Sequence, residues 1–310
     1  MRVLMTLLIV FTVGWTGYWF VGSTAIERGF KQWFEDAASN GVVAEYSELR
    51  TQGIPNRFDT TIEDVRIAND QFEWRAPFFQ IFALSYKPNH IIAVWPSTQS
   101  IIVDGTALAV NSEDMRASLI LEPSTHLVID RFQWAAEGLT IASLEQEPIQ
   151  VQNAAVALRQ TPGQANAYDL SVQLPNLSLP ESLPPLGNNV TATLGLTAQF
   201  NSQIALANAL PELTEVSINT ARIQWGPASM TLTGMLTRDI NGYGAGTLTA
   251  EIEQWRAAFA GLVHTGVVQP GWEGAFAALE NENDILELPL LFQNGRIAFG
   301  PFDLGSAPRF

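Results

Sequence analysis

The sequence contains no cysteine. That absence excludes disulfides, thiolate metal sites and cysteine nucleophiles, and it leaves the redox compartment unspecified. Positive charge is also scarce: 16 Lys and Arg stand against 31 Asp and Glu, a net charge of −15, and Lys31 and Lys87 are the only lysines. A chain this acidic is repelled by phosphate backbones, which argues against nucleic acid as a partner. Histidine is thin as well. His90, His126 and His264 are widely separated and show no metal-ligand spacing such as His-Glu-x-x-His. A Gly-x-Ser-x-Gly nucleophile elbow is missing too.

The motifs that come close fail on context. Gly242-Tyr243-Gly244-Ala245-Gly246 has the glycines of a dinucleotide loop, but Thr247-Leu248-Thr249-Ala250 follows as strand, where that motif needs a helix start. A hairpin turn is predicted instead. Glu280, Glu282 and Asp284 alternate with Asn281 and Asn283 but lack the glycine and distal glutamate of an EF-hand, so they read as a solvated loop. His90 lies in Tyr86-Lys87-Pro88-Asn89-His90, which reads as a turn entering a strand. Glu63-Asp64 and Glu113-Asp114 are not paired by sequence into a catalytic dyad. No catalytic, cofactor-binding or metal residue is therefore assigned, no cofactor is expected, and an enzyme is not the preferred reading. Ligand-binding residues stay unidentified at this level.

What the sequence does hold begins at its N-terminus. Val3 to Gly22 is a run of 20 uncharged residues, which at about 1.5 Å per residue spans the roughly 30 Å hydrocarbon core of a bilayer. Arg2 favours a cytoplasmic N-terminus, and Trp15, Tyr18 and Trp19 gather at the far end, where amphipathic rings favour the interface. The competing reading is a cleaved signal peptide, with small residues at Ser23-Thr24-Ala25. An uncleaved anchor is preferred, because the run exceeds a typical signal core and bulky aromatics crowd the cleavage region. Either way the body lies outside the cytoplasm, and without residues 1–25 it carries −16, one arginine and no acid having been removed. Ile26, Phe30, Trp33, Phe34 and Ala37 then form one helical face to about Ser39, which either lies on the membrane or packs on the protein's own sheet.

After Asn40-Gly41 the period changes from helical to alternating. In Val190–Phe200 the residues Val190, Ala192, Leu194, Leu196, Ala198 and Phe200 share a face. Similar runs occur at Phe58–Ile67, Phe78–Tyr86, Met115–Glu122, Thr125–Trp134, Val151–Leu158, Val216–Trp225 and Met230–Thr237, with hairpin dipeptides at Asn241-Gly242 and Asn294-Gly295. Two late helices are predicted at about Trp255–Val268 and Trp272–Asn283, separated by Pro270-Gly271.

A short repeat links Arg131-Phe132-Gln133-Trp134 with Arg222-Ile223-Gln224-Trp225, and a fainter copy lies at Phe72-Glu73-Trp74. Each copy reads as a hairpin closed by a buried tryptophan, whose loss would cost roughly 3–5 kcal/mol. Trp74-Arg75-Ala76-Pro77 reads as a hairpin corner.

The expected fold is mainly β: an N-terminal transmembrane helix, then a long, curved, predominantly antiparallel sheet with a few packed helices. For 310 residues one or two domains are expected. The divisions read as an anchor or signal peptide at 1–25, a β-rich half with a leading amphipathic helix at 26–174, a proline-rich linker at 175–189, and a β-rich half with two helices at 190–310.

Several segments resemble an uncharacterised family of bacterial envelope proteins, domain of unknown function 2125. They are Gly53-Ile54-Pro55 with Arg57-Phe58-Asp59, Trp74 with Ala76-Pro77, Tyr86 with Pro88-Asn89-His90, Trp95-Pro96, and Asn294-Gly295-Arg296 through Gly300-Pro301. The resemblance carries no catalytic residues. Its anchor-plus-sheet layout is also similar to AsmA-type envelope proteins, whose apolar groove implies lipid handling, an analogy of architecture alone. The expected function is that of an inner-membrane, single-pass protein with a periplasmic body that binds or handles a lipid on an apolar sheet face. The alternative is an envelope scaffold or assembly factor that binds other proteins and no small ligand.

Overall fold

The computed structural model describes residues 1–143, 147–179, 186–206, 209–264, 268–280, 285–300 and 302–310. The uncharged run and the amphipathic run, read separately from sequence, form one unbroken helix, α1 (Arg2–Ser39). Among the described residues it is the one helix long and apolar enough to cross a membrane. Its first half is bare, with Leu4, Leu7, Leu8, Phe11 and Val13 all exposed. From Trp15 onward it is bonded to the rest of the chain. Trp15 Nε1 donates to the Pro55 carbonyl (3.0 Å), Tyr18 Oη to the Ser85 carbonyl (2.7 Å) and Trp19 Nε1 to the Arg57 carbonyl (2.6 Å). The Thr51 amide donates to Glu27 at 2.8 Å. A Cβ on Gly22 would stand 2.6 Å from the ring tip of the buried Phe58, so only glycine lets the helix approach this closely.

The chain folds as two compact units, Met1–Pro123 with Trp134–Gln146, and Ser124–Gln133 with Glu147–Phe310. In the first, β1 (Val43–Glu45) and β2 (Glu48–Gln52) both pair with β3 (Arg57–Ala68), and β3 pairs with β4 (Phe72–Leu84). Then follow β5 (Lys87–Val94), β6 (Thr98–Val103), β7 (Thr106–Asn111), β8 (Asp114–Leu121) and β9 (Ile129–Ser143), whose two ends belong to different units. The second unit is a meander of antiparallel neighbours: β10 (Ile149–Gln160), β11 (Ala167–Ser178), β12 (Asn189–Phe200), β13 (Leu213–Trp225), β14 (Ala228–Arg238) and β15 (Gly244–Glu253). It continues through α2 (Trp255–His264), a 3₁₀ turn (Pro270–Trp272), α3 (Glu273–Ala277), β16 (Ile285–Gln293), β17 (Arg296–Phe299) and β18 (Phe302–Ser306). The eighteen described strands pair in antiparallel ladders, as the alternating runs predict.

The core of the second unit sits where α2 and α3 cover the strands. Phe259 and Phe276 meet edge to face at 5.5 Å, and Phe276 packs on Phe299 at 5.8 Å, over Ile252, Leu286 and Leu288. The proline-rich stretch 175–189 lies in this unit. Leu177 on β11 pairs with Val190 on β12, and the Leu179 amide donates to the Asn188 carbonyl, while positions 180–185 fall outside the described residues.

Three sequence readings need correction. Trp74-Arg75-Ala76-Pro77 is the interior of β4, not a corner. Pro77 has no amide to donate, and the β3–β4 ladder lapses for one step, between Glu63↔Phe78 and Val65↔Ala76. The repeat at Arg131–Trp134 lies within the continuous β9, so of the three copies only Arg222–Trp225 turns back as a hairpin, with Trp225 opposite Ala228. Trp134 and Trp225 are half-buried, which lowers the expected cost of removing either ring. The last predicted helix is short: α3 ends at Ala277, and positions 281–284 lie outside the described residues.

Two strands change face within their length. Asp64 on β3 (φ 51°) and Gly138 on β9 (φ 59°) take left-handed conformations, which break the period of two. A Cβ on Gly138 would meet the Glu113 side chain at 2.8 Å. The exposed Glu113 side chain can swing aside, so we expect Gly138→Val to destabilise the first unit by roughly 1–3 kcal/mol through the strain of a β-branched residue at this φ, read as a lower urea midpoint.

In the second unit burial alone would push Asp169 up, but donors from Thr161 (2.9 Å), Thr197 (3.0 Å) and Arg159 (3.2 Å) outweigh it and hold the carboxyl below its ordinary 3.8. A depressed folded-state value contributes stability above the ordinary range, lost as pH falls through the folded value. Asp169→Asn should therefore be less stable than wild type at neutral pH. The gap should close below about pH 4, as urea unfolding across pH would measure.

Candidate functional site

β4 is the branch point of the first unit. Its C-terminal part, Gln80–Leu84, pairs with β5, whereas Phe72–Arg75 pairs with β6. One branch continues from β5 to β8, the other from β6 through β7 to the end of β9. Trp95 and Pro96 sit in the fork, where the Trp95 amide donates to the Met115 carbonyl at 3.0 Å. Aromatic rings line it: Trp74 meets Phe79 edge to face at 5.9 Å, and Phe79 meets Trp95 at 5.1 Å.

Beneath these rings lies an open cavity of about 910 Å³ formed wholly by the first unit. Ile62, Val65 and Ile67 line it from β3, and Trp134, Leu139 and Ile141 from β9. In both sets the spacing is odd at one step. The left-handed residues Asp64 and Gly138 supply the flips that keep each apolar set facing the same space. Gln99 is the one lining side chain with a polar head group. It accepts from Trp74 Nε1 at 2.8 Å and directs its amide nitrogen to Met115 Sδ at 3.3 Å, so its hydrogen-bonding capacity is turned into the wall.

The second half of α1 covers this space. Ile26, Phe30, Trp33 and Phe34, four of the five residues of the predicted helical face, line the cavity. Of the two placements left open by the sequence, the protein's own sheet is the one observed. The cover is incomplete. Phe34 is 5% exposed and packs on Tyr46 at 4.6 Å, while Trp33 is 50% exposed at the edge.

A second cavity of about 680 Å³, with charged and hydroxyl side chains among its lining, shares Val65 and Gln99 with the first. Its arginines are engaged by carboxylates, and Asp64 accepts from the Ser47 hydroxyl at 2.8 Å. Arg66 pairs with Glu45 (3.1 Å) and Glu73 (3.2 Å), and Arg75 also pairs with Glu73. Hydrogen bonds from the Arg66 and Arg75 guanidinium groups hold the Glu73 carboxyl below the usual carboxylate range. Both arginines of this cavity are thus ion-paired rather than presented as a free cationic cradle.

Of the residues weighed for chemistry, Asp64 lines the second cavity and none of the others lines either one. His90 is in β5, within 3.0 Å of the Ser118 hydroxyl across the β5–β8 ladder, so it braces a strand pair rather than a turn. His126 is exposed in the segment between β8 and β9, and His264 is exposed at the end of α2. Gly242 lies in the β14–β15 hairpin, closed by the Asp239 amide on the Tyr243 carbonyl. Glu280 is held by a two-pronged pair with Arg256 at 2.7 and 2.6 Å, and Asn281 to Asp284 lie outside the described residues. Among the described residues no three His, Asp or Glu side chains gather as a metal-holding group.

Sequence reasoning located the helical cover but not the cavity it covers. The apolar run at Val190–Phe200 lies in the second unit, and the two late helices serve that unit's own core. Trp74, Trp95 and Trp134 had been singled out, the first and last as hairpin tryptophans. Their number on both sides of one fork was the available signal.

Comparison with known families places these features in a group. The sequence matches the family described as an uncharacterised protein conserved in bacteria, DUF2125, over residues 19–308. No curated protein and no solved structure matches the chain. The match runs from Trp19 at the helix dock through the forked strands to the C-terminal hairpins, and the chain belongs to the DUF2125 family.

Proposed function

We propose that this protein is a single-pass envelope protein, anchored by α1 with its body on the periplasmic side, that binds the acyl part of an amphiphile in the apolar cavity of its first unit. The observation that carries this reading is the cavity itself: about 910 Å³, apolar in nearly every lining residue, and half covered by a helix that continues into the anchor. Cavities of about 300–1,000 Å³ are the size class of small-molecule sites. Most such sites also carry convergent polar groups that orient a reacting ligand. Here the one polar lining side chain is already satisfied by the wall, which favours binding over catalysis.

The energetics suit an acyl chain. Each methylene moved from water into such a space contributes about 0.8 kcal/mol, so ten contribute roughly 8 kcal/mol before ordering costs are subtracted. A polar ligand would lose its hydration and find few partners on these walls. The head group of a bound amphiphile would stay at the open side near Trp33, whose ring is half exposed.

A palmitate analogue carrying a photoactivated diazirine, supplied to cells producing the full chain, tests the site. Crosslinks are expected in peptides containing residues 26–34, 95–101 and 134–141. Ile101→Glu, which puts a carboxylate on the cavity wall, should reduce that labelling at least about tenfold, since burying the charge costs well over the 1.4 kcal/mol this represents. An unchanged melting temperature would show that the fold survives. Labelling confined to residues before Gly22, with none in the cavity peptides, would leave the scaffold reading in its place.

The anchor has its own test. Full-length protein should stay in the membrane fraction after a high-salt wash, and the mature chain should retain the Arg2–Gly22 segment by N-terminal sequencing. A mature N-terminus at Ile26 would instead establish a cleaved signal peptide.

A further inference from the structure

We infer that the loops around Pro55 and Ser85 form a foot of the first unit that sits in the head-group layer of the bilayer, with Ile54, Leu84 and Tyr86 inserted toward the acyl chains. The inference rests on α1 being the membrane anchor and is independent of what fills the cavity.

The argument is one of length. From Val3 to Trp19 there are sixteen steps along α1, about 24 Å at 1.5 Å per residue. The hydrocarbon core is about 30 Å thick, and any tilt shortens the helix's reach further. With Arg2 held at the cytoplasmic face, Trp15, Tyr18 and Trp19 therefore lie no farther out than the opposite interface. These are the three residues that bind the Pro55, Ser85 and Arg57 carbonyls. Direct hydrogen bonds between side chain and backbone fix those loops at the same depth as the helix.

The chemistry of the loops suits that depth. A backbone carbonyl near the hydrocarbon boundary is costly unless it accepts a hydrogen bond, and all three carbonyls accept one from the helix. Pro55 also accepts from the Ser85 hydroxyl at 3.1 Å, tying the two loops together. Among the side chains left outside, Ile54 is 49% exposed, Leu84 37% and Tyr86 64%, all apolar or amphipathic, while the exposed Asn56 and Arg57 beside them are polar groups of the kind a head-group layer accommodates. Lys87, one of the chain's two lysines, follows Tyr86 and is exposed, so its stem can run along the boundary with its ammonium among lipid phosphates. In a body of net charge −16 that position opposes the general repulsion from an anionic surface.

The natural chain has no cysteine, so single-cysteine variants of the full protein can each carry one nitroxide label. Ile54→Cys and Tyr86→Cys probe the foot, Phe11→Cys the span, and Ala38→Cys the helix end about 28 Å beyond Trp19. The proteins are reconstituted in vesicles of phosphatidylethanolamine and phosphatidylglycerol, and relaxation is measured with oxygen and with a water-soluble nickel complex. Labels at 54 and 86 are expected to lose accessibility to nickel and gain it to oxygen, as at 11, while 38 stays open to nickel. If 54 and 86 behave like 38 with 11 protected, the foot is wrong and the anchor stands. If 11 is itself open to nickel, the anchor reading falls and takes the foot with it.

Discussion

Everything in the first unit depends on how closely α1 approaches β3. The contact is built on Gly22, whose missing side chain leaves room for the ring of Phe58, and on Trp19, which stacks on the same ring at 6.1 Å while bonding the Arg57 carbonyl. Because a helix is stiff over several turns, fixing it at Trp15–Gly22 also aims the next three turns. Those turns carry Ile26, Phe30, Trp33 and Phe34 across the sheet, with Glu27 accepting from the Thr51 amide as a further stop. One glycine thus sets the position of both the apolar first half of α1 and the cover that follows it.

The space under that cover exists because the strands do not form a uniform layer. Pro77 suspends the β3–β4 ladder for one step, and β4 then offers different stretches of its edge to β5 and to β6. A sheet that forks cannot fill the angle with backbone, so large side chains line it instead. Trp74, Phe79 and Trp95 do so, Trp74 meeting Phe79 edge to face and Phe79 meeting Trp95 at a tilt. The left-handed residues Asp64 and Gly138 complete the design. Without them half of each flanking strand would present its polar set to the cavity.

This explains which parts were legible in the sequence. Alternation gave the strands because most of each strand obeys a period of two, as at β12, where Val190 to Phe200 was read correctly. The helical face 26–37 was legible because its period is regular. The fork was hidden because β4 runs through a proline, and a proline such as Pro77 is the usual mark of a strand's end. Gly138 was hidden for the opposite reason: four residues between two apolar groups look like a turn, yet in β9 the chain runs straight through and only changes face. Long-range pairing, such as β4 with both β5 and β6, leaves no local trace.

A cover that continues into a long apolar helix imposes a constraint on the cavity it partly covers. A separate lid would hinge on a flexible loop, but α1 has no break between Arg2 and Ser39 at which to bend. Proline, the commonest cause of a sharp helix kink, is absent from this segment, and Gly22 and Gly29 are followed by intact helix. Opening the edge at Trp33 by moving the cover therefore means shifting α1 against Phe58, at the expense of three hydrogen bonds to backbone carbonyls, or else rotating side chains alone. Side-chain rotation is the less costly route, and Trp33 is free to take it because its ring, unlike that of Phe34, is half exposed and not enclosed by the sheet. The cover is accordingly a rigid support with one half-exposed ring at its edge, and the rigidity comes from the contacts that join α1 to the Pro55 and Ser85 carbonyls and to the start of β3.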